Sequence, residues 1–240
     1  MMLEILFQDD HLIAVNKPHG LLVHRSPIAA DADEFAVQLL RDQIGKRVFP
    51  VHRLDRKTGG VLLFALNEEV NSLMQQAFME QRVDKRYLAL VRGFTDESGT
   101  VDYPLANDSG KVQEAVTHYR TLEHFTLPVP SGKFPTSRYS LVEVEPETGR
   151  MHQIRKHFAH IFHPIIGDRP HGCNKQNKLF LANFGMNTML LHALSVEFIH
   201  PVTEKTIHIE APLHDEFRRM IDMMTERTLQ DPDPNQYSKK

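Results

Sequence analysis

Apolar residues along this chain switch between a period of two, a period near 3.6 and short unbroken runs, and these rhythms divide it into elements. Residues 3–24 read as two extended segments about a turn. Ile13-Ala14-Val15 runs into Asn16-Lys17-Pro18-His19-Gly20, whose Pro-x-Gly pair breaks the chain direction, and Leu21-Leu22-Val23-His24 leaves it. From Asp33 the positions Phe35, Ala36, Leu39, Leu40 and Ile44 recur at helical spacing, and Gly45 is a natural stop. Val61-Leu62-Leu63-Phe64-Ala65 is a continuous apolar run suited to an interior strand. A helix capped by Asn67 or Asn71 follows, with Val70, Leu73, Met74, Ala77 and Phe78 along one face.

Farther along, Lys85 to Val91 alternates as a strand does, Gly99 to Asn107 reads as a hairpin or excursion, and Ala115 to Leu122 as another strand. The proline-rich stretch 128–135 has the composition of a linker, but it lies between strands predicted at Tyr119–Phe125 and Tyr139–Glu145, which makes it a long hairpin loop. Residues 150–162 form a predicted helix with Ile154, Phe158, Ile161 and Phe162 on one face and Pro164 as its stop. The Asn-, Lys- and Gly-rich stretch 171–187 reads as loop. Strands at 189–198 and 206–211 precede a last helix carrying Phe217, Met220, Ile221 and Met224. The tail 228–240 has nothing to bury and is expected to be disordered. Many strands and few helices joined by short turns predict an α+β fold over residues 1–227, one domain with a mixed, largely antiparallel sheet flanked by helices.

Composition narrows the function. At 41% hydrophobic and 25% charged residues the chain has the balance of a soluble globular protein, with no apolar run long enough to cross a bilayer and no signal-peptide pattern at its start. A cytoplasmic location is the expectation. The single cysteine, Cys173, excludes an internal disulfide or a cysteine zinc cluster. A net charge of −3 supplies no general field for nucleic acid, so a polyanion would have to be held by a local patch. No glycine-rich nucleotide loop or Gly-x-Ser-x-Gly is present.

Three constellations could carry chemistry. In Val51-His52-Arg53-Leu54-Asp55-Arg56-Lys57-Thr58-Gly59-Gly60 one carboxylate sits among three cations immediately before a buried strand. Neighbouring cations favour the ionised form of a carboxylate, as a nucleophile or charge stabiliser requires, although an exposed ion-paired turn would also use these residues. Tyr87, behind Lys85-Arg86, is either a core tyrosine, or a platform for a base or a phenolic group for proton transfer. Arg150, His152, Gln153, Arg155, Lys156 and His157 open a helix, as a phosphate site or as a solvated basic face. His157, His160 and His163, with His152 nearby, raise zinc, but no His-Glu-x-x-His pattern or paired carboxylate supports it, and no metal is expected.

His52-Arg53-Leu54-Asp55 with Thr58 and Gly60, then Lys85-Arg86-Tyr87, Thr148-Gly149-Arg150-x-His152-Gln153-Ile154-Arg155 and Leu191-His192-Ala193 occur in the order seen in pseudouridine synthases of the RluA type. The chain resembles that family from about Leu3 to about Ala211, and Phe134-Pro135-Thr136-Ser137-Arg138-Tyr139 looks most like its tRNA-modifying branch. The resemblance implies the pseudouridine synthase catalytic fold and conversion of a uridine, uridine 65 of tRNA, to pseudouridine without metal or nucleotide cofactor, by a monomer. Ribosomal RNA as substrate, or RNA binding without catalysis, are the alternatives. It implies Asp55 as nucleophile, Tyr87 against the target base, Arg155 as partner of the carboxylate and Arg53 as the residue that displaces the nucleotide from its stack. His52, Thr58, Arg150, His152, Gln153 and Leu191 become substrate- or RNA-binding positions. One departure stands out: the family usually has Thr-Ser-Gly where this chain has Thr58-Gly59-Gly60.

Overall fold

A computed structural model describes residues 1–24 and 34–228; the predicted disordered tail lies outside them from 229 onward. The chain opens with a hairpin, β1 (Glu4–Gln8) and β2 (Leu12–Lys17), whose turn is fixed by the Asp9 carboxylate accepting from the amides of His11 and Leu12 at 2.7 Å each. The hairpin turn therefore precedes β2, and Leu21–His24 form no strand, only a bridge from Leu22 to Phe35. The reason is Lys17. Its fully buried ammonium donates to the carbonyls of Pro18, Leu21 and Arg56, which curls this segment inward.

Helix α1 (Ala36–Ile44) ends on Gly45 in the left-handed region at φ 66°. After β3 (Phe49–Pro50) and β4 (Gly59–Ala65), α2 (Glu68–Met79) starts at Asn67, whose side chain caps the Val70 amide at 2.9 Å and so decides between the two asparagines. The middle of the chain supplies β5 (Val83–Arg92), β6 (Ser98–Asp102), the small β7–β8 ribbon (Leu105–Ala106, Val112–Gln113), β9 (Val116–Leu127) and β10 (Ser137–Pro146). β9 and β10 pair along their lengths, so the proline-rich stretch is the hairpin loop its flanks predict. Then come α3 (Gln153–His160), α4 (Asn174–Phe184), β11 (Leu191–Ile199), β12 (Thr206–Glu210) and α5 (Asp215–Arg227).

Residues 99–107 are an excursion and not a hairpin, since β6 pairs with β9 and β7 with β8. Other expectations fail here. The stretch 171–187 is not all loop: α4 runs through it and buries Phe180 and Gln176, the latter accepting from the Tyr139 hydroxyl at 2.6 Å. Its asparagines and lysines mask the apolar positions by composition. Phe162 is not on the buried face of α3. The helix ends two residues earlier, and Phe162, at φ 65°, points its ring to solvent with 85% exposure.

Ten strands make one sheet, ordered β1-β2-β4-β11-β5-β10-β9-β6, with β12 beside β11 and β3 beside β4. Pairings are antiparallel except where β4 meets β11, His192 opposite Gly59 and Ala193 opposite Gly60. The sheet is mixed and largely antiparallel, and its five helices make the fold α+β. Both faces are covered. In β4, Val61, Leu63 and Ala65 pack with Val70 and Met74 of α2, whereas Leu62 and Phe64 pack with Ala36 and Leu40 of α1. In β5, Leu88 and Leu90 face α4 and α5, and Ala89 and Val91 face Phe158 of α3. Residues buried on both faces read as unbroken apolar runs, which is why these strands carry them. Among the described residues no helix is long and apolar enough to cross a membrane.

Candidate active site

The loop between β3 and β4 emerges where the two halves of the sheet join. Gly60, at φ 106°, lies so close to β11 that a Cβ there would collide with the Ala193 carbonyl, so only glycine allows β4 to pair at this point. Leu54 and Thr58 are buried and anchor the loop, and the Thr58 amide closes a turn on the Asp55 carbonyl at 3.0 Å. Asp55 therefore faces outward on a braced loop, 20% exposed.

Its carboxylate accepts from Arg155 Nη1 at 2.8 Å. Arg155 is buried on α3, and its remaining edge makes a two-pronged bond to Asp168, Nε to Oδ2 and Nη2 to Oδ1, both 2.8 Å. Asp168, 1% exposed, lies just after the buried pair Ile165-Ile166. A fork clamped on one carboxylate cannot swing, so the third nitrogen is aimed at Asp55. His152, left-handed at φ 56°, brings Nε2 to 3.8 Å from Asp55 Oδ1, while its Nδ1 contacts His171 Nε2 at 3.0 Å. Burial lowers the pKa of His152 against the opposing pull of Asp55, which favours its neutral form.

Asp55 opens on a cavity of about 290 Å³. Tyr87, Ile154 and Leu191 give it apolar walls, and Arg53, Arg150 and His152 its polar ones. Tyr87 is half-buried at the seam of two core clusters; burial, then the charge of Asp55, raises its phenol pKa, so the hydroxyl stays protonated. A second cavity of about 420 Å³ adjoins the first through Arg53, Tyr87 and Arg150 and continues past Phe78, Met79 and Lys85. Arg53 is exposed between them, and no hydrogen bond or ion pair holds it among the described residues.

The structure thus brings together Asp55, Tyr87, Arg155, Arg53, Thr58, Arg150, His152, Gln153 and Leu191, with His52 on the adjoining cavity. Two of these also have internal duties. His52 accepts the Leu63 amide at 3.0 Å and stacks on Phe78 at 4.9 Å, and burial pushes its pKa down to about 4. Gln153 is buried, with Oε1 accepting from the Thr148 hydroxyl and the Arg150 amide and Nε2 donating to the Val116 carbonyl and the Thr117 hydroxyl. Both hold loops that carry site residues, and their polar atoms are engaged within the protein. Arg86 is exposed and pairs with Glu145 at 3.3 Å. The helix histidines do not converge: His157 bonds Thr117 and the Tyr103 carbonyl, His160 stacks on Tyr103, and His163 bonds the Arg92 carbonyl. Sequence reasoning missed Asp168 and Lys17, neither of which stands in a recognisable motif.

One oriented carboxylate, an aromatic wall and cationic side chains at the mouth of the cavity fit one class of protein, an RNA-modifying enzyme. Residues 11–160 match the RNA pseudouridylate synthase family model, and the chain belongs to that family. It is 46% identical over 230 residues to the tRNA pseudouridine synthase C of Vibrio parahaemolyticus, covering 91% of this chain and 94% of that protein. It is 46% identical to the protein of the same name from Haemophilus influenzae, over 92% of this chain and 97% of the relative. Among solved structures, human RNA pseudouridylate synthase domain containing 4 superposes with a TM-score of 0.71 at 25% identity, covering 92% of this chain and 93% of the human one.

Proposed function

We propose that the chain converts a uridine of tRNA, uridine 65, to pseudouridine, with Asp55 as nucleophile. The observation that carries the reading is the Asp168–Arg155–Asp55 relay, which presents one carboxylate to a cavity of nucleoside size. Near-full-length similarity to proteins named tRNA pseudouridine synthase C supports tRNA as the substrate. The continuous sheet from β1 to β12 supports residues 1–227 acting as one catalytic unit.

In this reading the target nucleotide leaves its stack, Arg53 fills the gap, and the uracil lies against Tyr87. The Asp55 carboxylate stabilises or captures the carbon released when the N1–C1′ bond breaks. The uracil turns in the closed pocket, the C5–C1′ bond forms, and the hydrogen on C5 is exchanged for one on N1. Nothing is gained or lost overall. A phenol with a raised pKa serves as a neutral surface and hydrogen-bond donor, which argues against a Tyr87 phenolate as the base for the C5 proton.

Asp55→Ala is expected to bind tRNA with unchanged affinity while pseudouridine formation falls on the order of 10⁴-fold or more. Near-normal turnover would remove Asp55 from the chemistry. Pseudouridine mapping in total RNA from cells lacking the protein should show loss at one tRNA position, and loss confined to ribosomal RNA would overturn the tRNA assignment.

A further inference from the structure

Behind the active loop, on the far side of Gly59, three histidines from distant parts of the chain meet: His19 from the turn after β2, His192 from β11 and His214 from the N-cap of α5. One ring nitrogen of each lies within 4.8 Å of the other two. The rings of His19 and His192 each pack edge to face on that of His214, at 5.2 and 5.3 Å between centroids. We propose that this triad binds a divalent late-transition-metal ion, zinc foremost, as a structural clasp with water in the fourth position.

The hydrogen bonds of the rings support a ligand set. Backbone carbonyls only accept, so the Nε2 of His214, 2.9 Å from the Lys17 carbonyl, and the Nε2 of His192, 3.3 Å from the Ala211 carbonyl, carry the hydrogens of neutral rings. Their lone pairs then reside on Nδ1. His19 contacts the Thr188 hydroxyl through Nδ1 at 3.1 Å. That leaves His19 Nε2 and His192 Nδ1, both buried and without a hydrogen-bond partner, and buried nitrogens in that state are uncommon. A ring held through one nitrogen with the other free is the usual arrangement of a metal-bound histidine. All three are neutral, as binding requires: burial first, then mutual proximity, takes His19 down to about 3, burial takes His192 to about 4, and burial also lowers His214.

Three imidazoles without cysteine or carboxylate suit zinc, whose bonds to nitrogen of about 2.0–2.1 Å set ligand nitrogens about 3.4 Å apart. Closure therefore needs a small rotation of His19 and His214, which lie in a turn and at a helix start and are only half-buried. The nearby Lys17 ammonium is directed into three carbonyls of its own. Gly59 makes the room. A Cβ at position 59 would stand 2.5 Å from His214 Cδ2 and 2.6 Å from His19 Cδ2, so the space of the family's usual serine is occupied here by the two rings. The ion would tie three elements together around the strand that leads out of the Asp55 loop.

The test uses the untagged full-length protein, stripped of metal by dialysis against a chelator and titrated with zinc. One equivalent should bind per chain and raise the melting midpoint by about 5 °C. His19→Ala and His214→Ala should each weaken zinc binding about 100-fold, whereas His160→Ala, an exposed histidine elsewhere, should leave it unchanged. Undiminished binding in the first two variants, or no stoichiometric uptake by the parent chain, overturns the site. If those variants do not fold, cobalt loading of the parent chain decides: strong visible bands of a four-coordinate ion support the triad, and a weak six-coordinate spectrum refutes it. None of these readouts depends on pseudouridine formation, so the clasp can fail while the proposed activity stands, and the reverse.

Discussion

Arg155 divides its guanidinium between a carboxylate that is buried and one that faces the cavity, and the buried one governs the other. Removing Asp168 leaves the buried guanidinium with Asp55 as its one remaining carboxylate partner and strips the Nε and Nη2 hydrogens of their acceptors, so the fork is free to turn. Asp168→Ala is therefore expected to cost about 3–5 kcal/mol of stability and to lower turnover about 100-fold, measured by denaturant unfolding and single-turnover kinetics. Asp168→Asn keeps one acceptor and should fall between this variant and the parent on both measures. At this scale the motifs that carry Asp55, Tyr87 and Arg155 stood out in the sequence, and the resemblance they support implied that the three belong to one site; the structure places them on one cavity. Asp168 did not stand out. Its role depends on an arginine thirteen positions back, and a single acid after Ile165-Ile166-Gly167 carries no pattern of its own. His52 and Gln153 belong to the same motifs and line the two cavities, while their polar atoms also hold the loops that carry site residues.

The parallel contact between β4 and β11 is short, and the catalytic loop leads directly into it. Gly60→Ala adds a methyl group against the Ala193 carbonyl at a backbone angle that side chains rarely adopt. The expected cost is at least ~2 kcal/mol, with loss of activity, because the loop before it loses its footing. Urea unfolding with a parallel activity assay checks both. A Gly60→Ala protein of parental stability would mean that β4 can shift without penalty. Strand β4 was readable because burial on both faces demands an unbroken apolar run, and β5 because its entrance alternates. Helix α4 was not, since Asn174, Lys175, Asn177 and Lys178 surround Phe180 with residues that are common in loops.

For the molecule as a whole, buried neutral histidines set the response to acid. His19, His52 and His192 hold pKa values pushed by burial to about 3, 4 and 4, against an ordinary value of 6.5 in the unfolded chain. Below pH 6.5 the unfolded state takes up protons that the folded state refuses. Stability is thus fully present above about pH 6.5 and falls as the pH drops toward 4, with the fully buried His192 alone accounting for on the order of 2 kcal/mol by pH 5. Urea midpoints at pH 8 and pH 5 measure this, and equal midpoints would contradict it. The fold class was legible in the alternation of short strands and few helices. The strand order was not, because β11 inserts between β4 and β5 although the chain encodes it long after both. That insertion has a consequence for biosynthesis. While the chain is being made, β4 and β5 wait with open inner edges, which is the condition in which nascent proteins aggregate. A product released before β11 emerges would carry Asp55 on a loop whose strand β4 is paired on one edge only, so the catalytic centre becomes complete only as translation nears its end.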